Sequence, residues 1–368
     1  MFVYVGCYTV SGAKGRGEGI TVYSMDGQSG DWTSVQLLSD VVNPSFLALD
    51  HAEDSLYCVH GGDNHREVSA FAVDQQTGTL ASLNTQPCGG RNPVHLSVHP
   101  TDRFLAVANY TDGSVAALPI TPDGTLAPLT MVTTQTGALG PNAAEQSGAH
   151  PHHIPFDPAG RFLIVPDKGL DCIFVYRPDL AHGALVPNDP PFVRTRPGSG
   201  PRHAAFHPHL PYVYVVNELD STITTYAYNT DYGILSPRQT TTTLPPTYTN
   251  TGDNSGAEIA VAPSGRFVYA SNRGHDSIAI FAVDQSTGTL APVGWEPTRG
   301  STPRFFALDP SGAFLYVANQ GSDTIVTFRV DRETGMLTPT GQVLTTGSPV
   351  CIVFAEDSRR DEQAPQAT

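Results

Sequence analysis

In the stretch GSGPRHAAFHPHLPYVYVVNELD, Gly198 to Asp220, Arg202 opens one short apolar run and Glu218 closes the next. Arg273, Arg304 and Glu258 stand in similar surroundings further along the chain, and HPHH supplies His150, His152 and His153. Guanidinium forks hold carboxylates or phosphates and stabilise oxyanions. A carboxylate among arginines stays ionised and can take a proton from water or fix a histidine. Histidine titrates close to neutral pH and can shuttle a proton. These residue types suit binding and acid–base work on a small anionic molecule, provided that the fold gathers them at one place.

The elements that must gather them are short strands in a repeat. FAVDQQTGTLA (71–81) returns as FAVDQSTGTLA (281–291) and FRVDRETGMLT (328–338), with weaker copies elsewhere. Their turn glycines are Gly30, Gly78, Gly124, Gly183, Gly233, Gly288 and Gly335, seven in all. A second series of seven apolar runs follows Pro44, Pro93, Pro151, Pro201, Ala257, Pro303 and Pro349. Four short strands per unit, repeated at this spacing, predict an all-β, seven-bladed β-propeller with four antiparallel strands per blade. The last unit has only its first strand, PVCIVFA, so the N-terminal strands FVYVGCY, GITVYSM and DWTSVQL complete that blade and remove the open edges. One domain over residues 1–355 and a polar, disordered tail at 356–368 are expected.

Antiparallel order sorts the polar residues between the two faces of the disc. The entries to the innermost strands carry His152, His153, Arg202, His203, Glu258 and Arg304. The exits of the second strands open on the same face and carry Asn109, Asp167, Glu218, Arg273, His275, Asn319 and Gln320. The catalytic candidates are His152, Arg202, Glu218 and Arg273. His150, His153, Asp167, His203, Glu258, His275, Arg304 and Gln320 are expected to line the substrate. The loops 136–150 and 244–257 enter the same face and suit lids or specificity loops. His51, His99, His207, His209, Asp157 and Asp309 fall on the opposite face as turn residues.

Other classes are disfavoured. The net charge of −15, from 20 Lys+Arg against 35 Asp+Glu, opposes nucleic acid and anionic membranes as partners. The five cysteines are widely spaced without C-x-x-C, which suits free thiols in a reducing compartment, and the opening MFVYVGCYT lacks the features of a signal peptide. A cytoplasmic location is expected. Along a strand His150 and His152 share a face that His153 does not, and no acidic ligand set accompanies them, so no metal or other cofactor is expected. GAKGRGEG (12–19) precedes no helix and is read as a flexible loop, not a nucleotide cradle. There is no G-x-S-x-G for a serine nucleophile and no Trp-Asp repeat.

The segments VNPSFLALD, GPRHAAFHPHLPYVYVVNELDSTITTY, GRFVYASNRGHDSIAIFAVDQSTGTL and FLYVANQGSDTIVTF resemble the cycloisomerase-type lactonase family. That family includes the propeller form of 6-phosphogluconolactonase and the fungal 3-carboxy-cis,cis-muconate lactonizing enzyme. The resemblance spans roughly residues 2–355, with PRH followed by VNE, and SNR one blade later, as its more telling motifs. It implies a metal-free seven-bladed propeller. The muconate enzyme's proposed catalytic set resembles His152, Arg202, Glu218 and Arg273, with His150 and His153 as alternatives to His152. A phosphate pocket would fall to Arg273 or Arg304. The expected activity is hydrolysis of a sugar-derived lactone, foremost 6-phosphogluconolactone. In that scheme Glu218, alone or with His152, activates water, the arginines hold the oxyanion and His152 protonates the leaving alkoxide. Muconate cycloisomerisation and a non-catalytic scaffold are the alternatives, and the oligomeric state stays open.

Overall fold

The computed structural model of the chain describes residues 1–10, 15–249 and 254–355. The expected tail at 356–368 and part of the glycine-rich loop, residues 11–14, lie outside them. Seven antiparallel sheets follow one another around a central axis, with successive innermost strands in contact. The first six blades span 44–87, 93–134, 151–194, 201–242, 255–297 and 303–345. In the seventh, Pro349–Ala355 is the innermost strand and pairs with Phe2–Cys7, so both chain ends close the ring in one sheet. No helix occurs among the described residues, and none is long and apolar enough to cross a membrane.

Six blades carry four strands, and the third departs from the pattern at its inner edge. There the segment 151–156 is joined to its neighbour only by the bridges Pro151↔Asp167 and Phe156↔Leu163. Pro151, Pro155 and the facing Pro166 lack N–H donors, so a regular ladder cannot form. His152 and His153 sit in this irregular segment.

The core is divided into seven apolar clusters, each shared by two neighbouring blades. Alternation along each strand sends one set of side chains to each neighbour, so every blade contributes to two clusters. Tyrosine hydroxyls add a recurrent tie between blades. Tyr4 donates to Gly78 O, Tyr57 to Gly124 O, Tyr214 to Gly288 O, Tyr269 to Gly335 O and Tyr316 to Gly30 O. These are the expected turn glycines. At Gly288, φ is +69° and a Cβ would lie 2.4 Å from the Tyr212 ring, so both backbone and packing demand glycine.

Candidate active site

The site rests on one register that repeats around the ring. One pair recurs between the start of the inner strand and the end of the second strand: Pro44↔His60, Pro93↔Asn109, Pro151↔Asp167, Pro201↔Asn217, Gly256↔Asn272, Pro303↔Asn319 and Pro349↔Cys7, the fifth blade adding Ser255↔Arg273 beyond it. In six blades the register slips just after this pair, a bulge that lets two consecutive inner residues turn toward the axis. Two rings result. The upper one includes His152, Arg202 and Arg304. The lower one is Phe46, His95, His153, His203, Glu258, Phe305 and Cys351.

The lower ring partitions the tunnel. The Phe46 and His95 rings lie 4.0 Å apart, His95 and His153 also 4.0 Å, and His153 stacks on His203 at 4.4 Å. His203 then bonds Glu258, and Phe305 meets Phe46 edge-on at 5.9 Å. A cavity of about 350 Å³ among the turns of the opposite face ends on Phe46, His95 and His153.

Above the partition, Glu218 is held by three cations. Its Oε2 lies 3.0 Å from Arg202 Nε and 3.3 Å from an Arg273 terminal nitrogen, and its Oε1 lies 3.1 Å from Lys168 Nζ. Lys168 also pairs with Glu145 at 2.7 Å. Arg202 is 2% exposed and further bonds Ala257 O, while Arg273 donates to Gly256 O at 2.9 Å. Burial opposes ionisation of Glu218, but Arg273, Lys168 and Arg202 outweigh it and hold the carboxyl well below its usual range. Burial, reinforced by Arg273 and Arg304, pulls Arg202 down to about 9, so it stays cationic at neutral pH. The Nε atoms of Arg202 and Arg273 are buried without an aligned hydrogen bond among the described residues. Arg202 Nε is nonetheless charge-paired with Glu218 Oε2 at 3.0 Å.

Beside this cluster runs a chain of three side chains. Glu258 Oε1 lies 3.0 Å from His203 Nδ1, and His203 Nε2 lies 3.2 Å from His152 Nδ1. Among the described residues no protein group bonds the remaining nitrogen, Nε2 of His152. Burial drives His152, His203, His153 and His95 well below the usual histidine range, with the nearby arginines adding to it at His152 and His203. The imidazoles are therefore neutral, and the near-neutral titration expected of His152 does not hold. Burial pushes Glu258 up to about 7, against the pull of His153 and Arg202.

The other candidates separate. His153 and His203 belong to the lower ring, and His150 stacks on Tyr110 at 4.4 Å with its Nδ1 bonded to Tyr110 O. Arg304 lies over the Tyr8 ring at 5.7 Å. It lines, with Tyr8, Gln320, Asn43, Asn92 and His65, a cavity of about 410 Å³. Two candidates stand outside the charged cluster. Asp167 is fully buried, and its Oδ1 accepts the N–H groups of His150, Gly169 and Leu170. His275 bonds Ser277 and packs against Tyr248.

Sequence reasoning missed Lys168 and Tyr110 because it mixed two positions at the strand exits. The residue of the recurring pair, Asn109, Asp167, Asn217, Asn272 or Asn319, turns inward to staple the loop. The next one, Tyr110, Lys168, Glu218, Arg273 or Gln320, faces the mouth. Aligning PDK with VNE and SNR carries that signal. The 136–150 loop is docked here through Glu145 and through Gln146, whose Nε2 donates to Lys168 O at 2.8 Å.

Comparison with known proteins agrees with this architecture. The family model "Lactonase, 7-bladed beta-propeller" matches residues 2–354. A Bacillus subtilis protein named 6-phosphogluconolactonase is 36% identical over 302 residues, covering 82% of this chain and 83% of its own. One of the same name from Formosa agariphila is 37% identical over 314 residues, 82% and 84% of the two chains. The solved periplasmic gluconolactonase of Pseudomonas aeruginosa superposes with a TM-score of 0.88 at 33% identity, covering 96% of this chain and 99% of its own. The chain belongs to the lactonase family of seven-bladed β-propellers.

Proposed function

We propose that this protein hydrolyses a sugar-derived lactone, with 6-phosphogluconolactone as the leading substrate. The observation that carries the reading is the pairing of a three-cation cluster around Glu218 with a neutral His152 whose Nε2 is open. The names of the relatives support the same reaction class.

His152, not Glu218, is assigned the base. A carboxylate held well below its usual range by three cations binds a proton poorly. A neutral imidazole has a lone pair ready. Water attacks the lactone carbonyl carbon while its proton passes to His152 Nε2. Arg202 and Arg273, gathered at Glu218, supply the positive charge that meets the developing oxyanion. The tetrahedral intermediate then releases the ring oxygen, which takes the proton back from His152. Lactone and water become the open hydroxy acid. Glu218 fixes the three cations and keeps their repulsion in check.

The cavity beside Arg304 is also lined by Asn64 and Gln320, amides suited to sugar hydroxyls. Arg304 has no carboxylate partner among the described residues, so it is the cation assigned to a substrate phosphate. The five buried free thiols support a reducing compartment. Initial rates of ring opening on phosphorylated and unphosphorylated gluconolactone, corrected for spontaneous hydrolysis, test the reading. Consumption of a carboxymuconate instead, followed by ultraviolet absorbance, would reassign the site to cycloisomerisation.

A further inference from the structure

Resting on the lactonase reading, we infer that Glu258, acting through His203, is the group that stores the proton taken up by His152. The geometry is a continuous chain, Glu258 Oε1 to His203 Nδ1 at 3.0 Å and His203 Nε2 to His152 Nδ1 at 3.2 Å. All three side chains are buried, with exposures of 6%, 3% and 5%. An imidazolium in such a place is costly, so neither ring can keep the proton. Each imidazole has one donor and one acceptor nitrogen, and the chain is satisfied in two arrangements.

In the first, Glu258 is ionised and accepts from His203 Nδ1–H, and His203 Nε2 accepts from His152 Nδ1–H. His152 Nε2 is then a bare base facing the site. In the second, Glu258 is protonated and donates to His203 Nδ1, and His203 Nε2–H donates to His152 Nδ1. His152 Nε2–H is then an acid. Three proton hops convert one into the other: water to His152, His152 to His203, and His203 to Glu258. The three transfers are concerted, so neither ring is left as an imidazolium. Reversal of the hops delivers the proton to the departing ring oxygen. The only net charge change in the chain is at the carboxylate, which makes Glu258 and His203 positioning and relay residues behind the catalytic His152.

The surroundings of Glu258 fit this role. Its Oε1 also accepts the N–H of Ile259 at 3.0 Å, while Oε2 is buried with no bonding partner among the described residues. The charged and titratable groups facing it are His203, His153, Arg202 and Arg304, with Cys351 from the seventh blade. Burial raises the carboxyl while His153 and the nearby arginines lower it, which leaves Glu258 at about 7, where either form is accessible.

The test combines Glu258→Gln with ¹⁵N-histidine NMR. Glutamine keeps the size of the side chain and can bond His203, but it cannot gain or lose a proton. The expected result is a fall in kcat by a factor of about 10²–10⁴, loss of the acid limb of kcat near neutral pH, and a much smaller change in KM. In the unmodified protein the protonated nitrogen of His152 and of His203 should exchange between Nδ1 and Nε2 over the same pH range without an imidazolium signal, and E258Q should abolish that exchange. A kcat within about threefold of the parent with the acid limb intact would overturn the relay. So would ring nitrogens that hold one tautomer throughout, a measurement on the unmodified protein that stands even if E258Q does not fold. Should lactones go unhydrolysed while the tautomers still switch with pH, the relay stands and the lactonase reading falls.

Discussion

Lys168 Nζ lies 3.1 Å from Glu218 Oε1, on the opposite side of the carboxylate from the two arginines. This buried lysine completes a cage that leaves Glu218 only 12% exposed. Lys168→Met should therefore act on the site and not only on its rim. With two arginines still holding Glu218, the loss of stability should be about 1–3 kcal/mol, seen as a lower Tm. Loss of one cation near the reacting oxyanion should lower kcat/KM by roughly 10²-fold. Parent-like kinetics in K168M would remove Lys168 from the site.

Glu218→Gln leaves Arg202 and Arg273 without their carboxylate partner, while Lys168 keeps Glu145. Breaking such a set costs about 3–5 kcal/mol. A small anion can take the vacated place, so added phosphate or sulfate should raise the Tm of E218Q more than that of the parent. Equal anion responses in thermal unfolding would contradict the cage.

Glu258 gives a stability prediction whose sign is opposite to that of Glu218. Its folded-state value near 7 lies above the ordinary 4.5, so the folded protein holds this proton where the unfolded chain has lost it. Its contribution is fully present below about 4.5 and is lost as pH rises toward about 7. Glutamine does not titrate. The stability of E258Q relative to the parent should thus increase between pH 5 and 8, by up to about 3 kcal/mol. Denaturant unfolding at several pH values measures this difference, and a difference that stays flat would place the carboxyl outside its buried setting. For Glu218 the depressed value gives stability above pH 4.5 that fades only in strong acid.

Asp167→Asn should be nearly silent in turnover. Asp167 staples a loop through backbone N–H groups, and four other blades place asparagine at the paired position. Burial raises Asp167 to about 6, so a neutral amide removes a buried charge at neutral pH. Stability within about 1 kcal/mol of the parent and kcat/KM within about twofold are expected. A large fall in kcat/KM with an unchanged Tm would return Asp167 to the substrate.

The ring, its closure by the two chain ends and the face that carries the site were legible from the glycine and proline series. Strand polarity then brought Arg202 and Glu218 of one repeat together with Arg273 of the next. Lys168 was hidden because Asp167, one residue earlier, looks equally chemical, and only the ladder shows which of two neighbours turns to the mouth. The division of histidines was hidden by the bulge, which sends His152 to the upper ring and His153 to the lower one in a segment where prolines erase the strand pattern. The neutral state of these imidazoles comes from burial among four blades, a sum that no local motif records.

The most direct measurement is the initial rate of lactone opening by the parent protein and by His152→Ala, with 6-phosphogluconolactone and gluconolactone as substrates. The parent should exceed spontaneous hydrolysis clearly, with the phosphorylated lactone preferred, and folded H152A should lose at least about 10²-fold in kcat. A parent protein that leaves both lactones at their spontaneous rate, or an H152A variant as fast as the parent, would contradict a lactonase built on His152 and the cations around Glu218.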